Sequence, residues 1–239
     1  MLPHCVATDL LWSTFGKRDS SGLLEDWVDF AVGLSQRDEC LGEEAIARAM
    51  KKLDVKLTLD DDLLFDGELR LVDYQKTIFL RSSIEQSRRN FTLAHELGHA
   101  ALFQLDPSLE QTSQEIERLC NLFAAELLLP AFSVRRETAV TESYVRAVML
   151  LAAKSGASLF SVCIRMTECF GGAAGIAAAD GRIIRRYGDV PESIELTEYL
   201  LRIASTRERI FRTQRVLGSW ALETGFLESK YVYVLCSTE

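Results

Sequence analysis

The chain has 239 residues, 48% of them apolar and 26% charged, with only 14 Gly and 4 Pro. That is the composition of a globular polypeptide long enough to bury its own core, and it excludes wholesale disorder, collagen-like repeats and low-complexity sequence. The net charge of −8 is unevenly spread. Residues 1–130 carry 13 Lys and Arg against 23 Asp and Glu, whereas residues 131–239 carry 14 against 12. The acidic first half excludes the broad basic surface of a nucleic-acid enzyme; the second half leaves room for a local basic face.

The longest clean apolar run, Ala147–Ala153, has seven residues, against the roughly 20 of a membrane-spanning helix. No basic segment followed by an apolar one opens the chain, so no secretory leader and no membrane association are expected, and a cytoplasmic location is. The six cysteines (Cys5, Cys40, Cys120, Cys163, Cys169 and Cys236) include no C-x-x-C pair and are expected as free thiols.

Along the chain, Gly16–Gly22 reads as a loop by composition, and helices are predicted over 23–34 and 43–53. In the second helix Ala45, Ile46, Ala49, Met50 and Leu53 recur at helical spacing between charges. The period then shortens to two. Val55–Leu59, Glu68–Asp73 and Thr77–Leu80 alternate as strands of a small antiparallel sheet, punctuated by Asp60–Asp62, Asp66-Gly67 and Tyr74–Lys76. A helix follows Ser82-Ser83 and carries Phe91–Phe103. After a loop at Asp106-Pro107, another spans about 113–129 and is halted by Pro130. In the second half helices are predicted over 142–154, 158–170 and 196–217. A hairpin is predicted over 173–187 with Asp180-Gly181 as its turn, and Tyr231–Leu235 is read as a terminal strand.

The residues that carry chemistry are few. There are three histidines, His4, His95 and His99. His95-Glu-Leu-Gly-His99 is an H-E-x-x-H motif in helical context. Positions four apart share a helix face about 5–6 Å apart at Cβ, so two imidazoles can converge on one ion. Glu96, turned about 100° from His95, flanks the ion as a base. Gly98 costs a helix about 1 kcal/mol relative to Ala, a cost with a purpose if another helix crosses close to the metal.

No third histidine stands six residues beyond the second: positions 102 and 105 are both Leu. His4 is remote in sequence. A carboxylate from the next helix is therefore expected, and Glu117 and Glu126 are the main candidates. Nine residues apart, they face opposite sides of a helix. Glu117 shares its face with Asn121, Ala124 and Leu128 and is preferred. Asn121 is placed to hold a ligand histidine in its tautomer, and Glu126 is read as an ordinary surface charge. Glu110 and Glu115 are weaker alternatives.

The segments Arg89-Asn-Phe-Thr-Leu-Ala-His-Glu-Leu-Gly-His99 and Glu117-Arg-Leu-Cys-Asn-Leu-Phe-Ala-Ala-Glu-Leu-Leu-Leu-Pro130 together resemble the ImmA/IrrE metallopeptidase family. Its pattern is R-x-F-T-x-A-H-E-x-x-H followed by E-x-x-A-N-x-F-A-A-x-L-L-M-P. The resemblance covers about residues 43–170; Cys120 stands where Ala is usual and Leu129 where Met is, and Phe103 lies near a common His. It implies an α+β fold. A minimal thermolysin-like core of helices and a small antiparallel sheet would be followed by a helical pair and a small α/β part. It implies that His95, His99 and Glu117 hold Zn2+ and that Glu96 is catalytic. It further implies a zinc endopeptidase whose protein substrate is a helix-turn-helix repressor, switching on stress-response or mobile-element genes.

The expected organisation is an N-terminal extension (1–42), the peptidase core (43–135), a helix-turn-helix-like region (136–170) and a C-terminal part (171–239) that suits a small sensor-like domain. In 151–166, Gly156 at a turn and Ser158 as an N-cap have the texture of a helix-turn-helix, but only Lys154 and Arg165 are basic there. Packing is therefore favoured over nucleic-acid binding. The arginines at 202, 207, 209, 212 and 215 are read as one solvated helix face. The rival reading is a non-catalytic regulator with a structural zinc, its fourth position closed by Cys120; a vestigial site without metal is a third.

Overall fold

A computed structural model of the chain describes residues 20–35, 40–105, 114–192, 194–205, 212–217, 220–227 and 229–237. Residues 16–19 of the loop expected over 16–22, the loop expected at 106–107, and His4, Cys5, Glu110, Arg207 and Arg209 lie outside them; residues 20–22 are helical, not loop. The chain divides into two compact units, Met1–Pro130 and Ala131–Glu239.

In the first unit α1 (Ser20–Ser35) and α2 (Glu43–Leu53) precede strands β1 (Val55–Leu59), β2 (Gly67–Val72) and β3 (Gln75–Leu80). Helices α3 (Gln86–Leu105) and α4 (Gln114–Leu128) follow. Helix α2 buries Ala45, Ile46, Ala49 and Leu53 as its spacing demands. Glu43 and Glu44 lie in its first turn and Lys51 and Lys52 in its last, each sign where the helix dipole favours it. The expected sheet forms, but it is mixed rather than wholly antiparallel. β2 and β3 make the antiparallel hairpin, and β1 joins the other side of β3 in parallel, giving the order β1-β3-β2. The short turn at Asp73-Tyr74, both at positive φ, commits β2 and β3 to each other, which leaves β1 only the far edge of β3.

Rows alternate across this sheet. Val55, Leu69, Ile78 and Leu80 lie on one face and are buried. Arg70, Phe79 and Glu68 lie on the other, where the Arg70 guanidinium stacks 4.8 Å over the Phe79 ring. Helix α3 packs on β2 and β3, and α4 packs against both α3 and α1. Trp27 of α1, fully buried, donates its indole N–H to the Leu119 carbonyl of α4 at 3.1 Å and tilts against Phe123, ring centroids 5.4 Å apart.

In the second unit α5 (Ala131–Thr141), α6 (Tyr144–Ser155) and α7 (Leu159–Phe170) lead into β4 (Ala173–Ala178) and β5 (Ile183–Gly188). Then come α8 (Leu196–Ser205), β6 (Arg212–Leu217), β7 (Trp220–Leu227) and β8 (Lys230–Ser237). Ser143 and Ser158 cap α6 and α7, accepting from the N–H groups of Arg146 and Ser161 at 3.1 Å. The five-stranded sheet is antiparallel in the order β5-β4-β8-β7-β6, so the last strand lies at its centre. Leu196, Leu200 and Ile203 of α8 close one core against Ala177, Leu222, Tyr231, Tyr233 and Leu235.

The helix expected over 196–217 is corrected: it ends at Ser205, and residues 212–217 form β6, paired with β7. Pairing with a neighbouring strand overrides the helical spacing of the charges, so Arg212 and Arg215 share no helix face with Arg202. The helical pair α6–α7 packs on its own unit's sheet. The two basic residues of 151–166 are engaged, Lys154 with Glu137 at 2.7 Å and the buried Arg165 with Glu168 at 2.8 Å. Among the described residues no helix is long and apolar enough to cross a membrane, and none of Cys40, Cys120, Cys163, Cys169 and Cys236 forms a disulfide.

Trp27 fills the space between α1 and α4. Its replacement by Ala should destabilise the first unit by roughly 3–5 kcal/mol, read as a lowered midpoint in urea denaturation followed by far-UV circular dichroism.

Candidate metal site

The site is built where α3 and α4 cross. His95 and His99 sit one turn apart on α3, their ring centroids 4.9 Å apart and their Nε2 atoms 3.2 Å apart. Glu117, in the first turn of α4, presents Oε2 to His95 Nε2 at 3.2 Å and Oε1 to His99 Nε2 at 3.4 Å. Among the described residues these three form a group of ligand-type side chains able to hold a metal ion.

The crossing is close because residue 98 is glycine. A Cβ there would fall 3.0 Å from the Cα of Cys120 and 3.2 Å from its Cβ, tighter than nearly all real Cβ contacts, so the backbone of α4 would have to give way by a few tenths of an ångström. Gly98 therefore has the purpose that its mid-helix position suggested. Cys120 is fully buried against it and stands outside the group formed by the three ligands. Burial pushes its thiol well above the usual range.

The donor set fits a tetrahedral divalent ion. Ligands about 2.0–2.1 Å from such an ion lie about 3.3–3.4 Å from one another, the spacing of these three groups. The imidazoles are also in the right form. Asn121 Oδ1 lies 3.0 Å from His95 Nδ1. Because an amide oxygen only accepts, Nδ1 carries the proton and Nε2 turns its lone pair to the cluster. His99 is pushed down to about 4, by burial first and by the neighbouring His95 next, with Glu117 opposing. It is a neutral imidazole at pH 7. Its buried Nδ1 has no hydrogen-bond partner among the described residues.

Glu96 is not among the ligands. It reaches the sheet, where its Oε2 accepts from the Leu69 N–H of β2 at 3.0 Å. Burial raises its pKa to about 7 in the metal-free chain. The Leu69 bond lowers it, and the Glu117 and Glu68 carboxylates raise it further. A carboxyl poised there exchanges protons readily near neutral pH. Gly67 permits the approach of β2: a Cβ at that position would fall 2.6 Å from Thr92 Cγ2 of α3.

Five positions singled out from the sequence, His95, Glu96, His99, Glu117 and Asn121, are thus brought together. Glu126 is not the surface charge expected but 5% exposed. The side of α4 opposite Glu117 faces other helices instead of solvent, since α1 packs there. Glu115 lies on α4 outside the ligand group. The sequence reading missed the part played by Leu69, because a backbone N–H has no side-chain signature. Gly67, two residues before it, is the signal the sequence offers, and by itself it reads as a turn. Phe91 also borders the site, one turn before His95 and 6.4 Å from it between ring centroids.

Residues 50–167 match the family model described as the IrrE N-terminal-like domain. This match supports an ImmA/IrrE-type family for these residues. It is 34% identical over 100 residues to the radiation response metalloprotease IrrE of Deinococcus radiodurans, covering 38% of this chain and 30% of that protein. It is 41% identical over 63 residues to the protein of the same name from Deinococcus deserti, covering 23% of this chain and 22% of that one. The chain therefore spans less than a third of the length of these curated relatives. The fold is similar to that of a solved Mycobacterium tuberculosis transcriptional regulator, with a TM-score of 0.51 and 16% identity over 97% of this chain and 79% of that one. At that identity the likeness speaks for the fold alone.

Two substitutions test the geometry by isothermal titration with Zn2+. Glu117→Ala should weaken binding at least roughly a hundredfold, and Asn121→Ala roughly ten- to a hundredfold. Gly98→Ala should lower both affinity and stability, the latter by about 1–3 kcal/mol, because the added methyl meets the α4 backbone.

Proposed function

We propose that the chain is a zinc-dependent endopeptidase that makes a specific cut in a regulatory protein, a helix-turn-helix transcriptional repressor, and so switches on a stress or mobile-element response. The observation that carries the hydrolytic part is the placement of Glu96. It is an unligated carboxyl beside three converging ligands, at the free edge of a sheet. The relatives named as radiation response metalloproteases support both the peptidase chemistry and the regulatory setting.

His95, His99 and Glu117 would hold the metal, and the His/His/Glu donor set suits zinc. Zinc in such a site supplies Lewis acidity toward a peptide carbonyl and toward water. The chain's own residues do the rest. Glu96 takes the proton of the attacking water and delivers it to the leaving amine nitrogen. Asn121 keeps His95 in the ligating tautomer. Strand β2, with no strand on its outer side among the described residues, offers an extended peptide a place to add as a further strand within reach of Glu96.

The test incubates the zinc-loaded protein with helix-turn-helix repressors encoded beside its gene and looks by mass spectrometry for a single cut. The cut should vanish with a chelator and return with zinc. Glu96→Gln should retain zinc and lose roughly 10²–10⁴-fold in rate. Full cleavage by that variant would sink the assignment.

A further inference from the structure

The alternation of β2 decides which of its backbone groups are free. The Asp66 carbonyl accepts from the Arg81 N–H at 2.9 Å, and Leu69 lies opposite Ile78 in the register with β3. In an antiparallel ladder both backbone groups of one residue point the same way and neighbours alternate. The groups of Asp66, Glu68 and Arg70 therefore face β3, and those of Gly67, Leu69 and Leu71 face outward. Of the outward N–H groups, that of Leu69 is bound to Glu96 Oε2. The carboxyl group of Glu96 is buried, 9% exposed, and a buried carboxyl needs hydrogen-bond donors to stay in place. Holding Oε2 fixes the rotamer of the side chain and leaves Oε1 uncommitted.

We propose that the Leu69 backbone N–H is a positioning group for Glu96. It holds one carboxylate oxygen at the sheet edge so that the other faces the space beside His95, His99 and Glu117. The same bond removes one donor from the track along which a peptide would dock, so a bound strand takes its hydrogen bonds from the groups on either side of Leu69. The proposal rests on the peptidase reading for its catalytic half, while the bond itself can be tested without catalysis. Gly67 is part of the device. By letting β2 descend onto α3 at Thr92, it brings the N–H within reach of a glutamate side chain.

The first arm is amide hydrogen exchange by NMR on the full chain. The Leu69 amide should be protected in the native protein and in Glu96→Gln, which keeps an acceptor oxygen. It should exchange at least about tenfold faster in Glu96→Ala, with the amide of Ile78 in β3 as a check on the sheet. Equal exchange of Leu69 in all three proteins overturns the proposal.

The second arm is kinetic, with zinc-loaded protein and a quenched fluorescent peptide library. Leu69→Pro removes the N–H at a position where an edge strand accepts proline, since no ladder bond is lost. It should lower kcat roughly ten- to a hundredfold with KM and zinc affinity held. Leu69→Ala, which keeps the N–H, should lose less. If the proline variant fails to fold, a backbone ester at residue 69, with the leucine side chain retained, removes the same N–H. A raised KM with kcat held would mean that the N–H serves the peptide and would overturn the proposal. A native zinc-loaded protein that cleaves nothing overturns the peptidase reading and with it the catalytic half, while the exchange arm still reads the bond.

Discussion

Everything at the candidate site depends on how closely α3 and α4 approach at residue 98. A helix can put two imidazoles on one face by itself, but a third ligand must come from elsewhere, and side-chain reach is short. Glu117 meets both Nε2 atoms at 3.2–3.4 Å only because nothing larger than hydrogen stands between Gly98 and the backbone of Cys120. The helix-propensity cost of that glycine, about 1 kcal/mol, is the cost of the crossing. The crossing is backed from behind by Trp27, which ties α1 to the carbonyl of Leu119 two residues beyond the ligand.

Around that crossing the polar groups divide into those that suit a cation and one that does not join it. Burial keeps His99 neutral, and Asn121 keeps the His95 lone pair turned inward. Glu117 stays 46% exposed, which leaves the cluster open on one side. Glu96 shares the helix but not the face. The turn of about 100° between neighbouring residues sends it to the sheet, where the strand that anchors it has no further strand on its outer side among the described residues. An unligated carboxyl, three ligand-type side chains and this strand edge meet within two helices and one hairpin.

The second unit shows the same logic without a catalytic group. Its buried acid, Glu223 on β7, accepts from Ser143 Oγ and from the N–H groups of Tyr144 and Val145, so a strand side chain caps the start of α6. Tertiary contacts of this kind are invisible to local pattern. They also explain why 212–217 departs from the expected helix: the charge spacing there permits a helix, and Arg212–Leu217 is a strand because β7 lies beside it to pair with.

Spacing along the chain was enough to bring the ligand-type residues forward. The four-residue spacing of His95 and His99 works on any α-helix, and the separation of Glu117 from Glu126 by half a turn chose between two carboxylates without coordinates. Local pattern also places elements such as α2 and α7, where apolar spacing or the cap at Ser158 marks them, but not α5 or β7. Only the tertiary structure decided what depends on neighbours distant in the chain. Glu126 is buried because α1 packs on α4, the sheet is mixed because the β2–β3 hairpin leaves β1 the outer side of β3, and Glu96 is anchored because β2 descends at Gly67. Periodicity reports which face of an element is apolar; it carries no information about which partner covers that face, or about where a backbone N–H finds its acceptor.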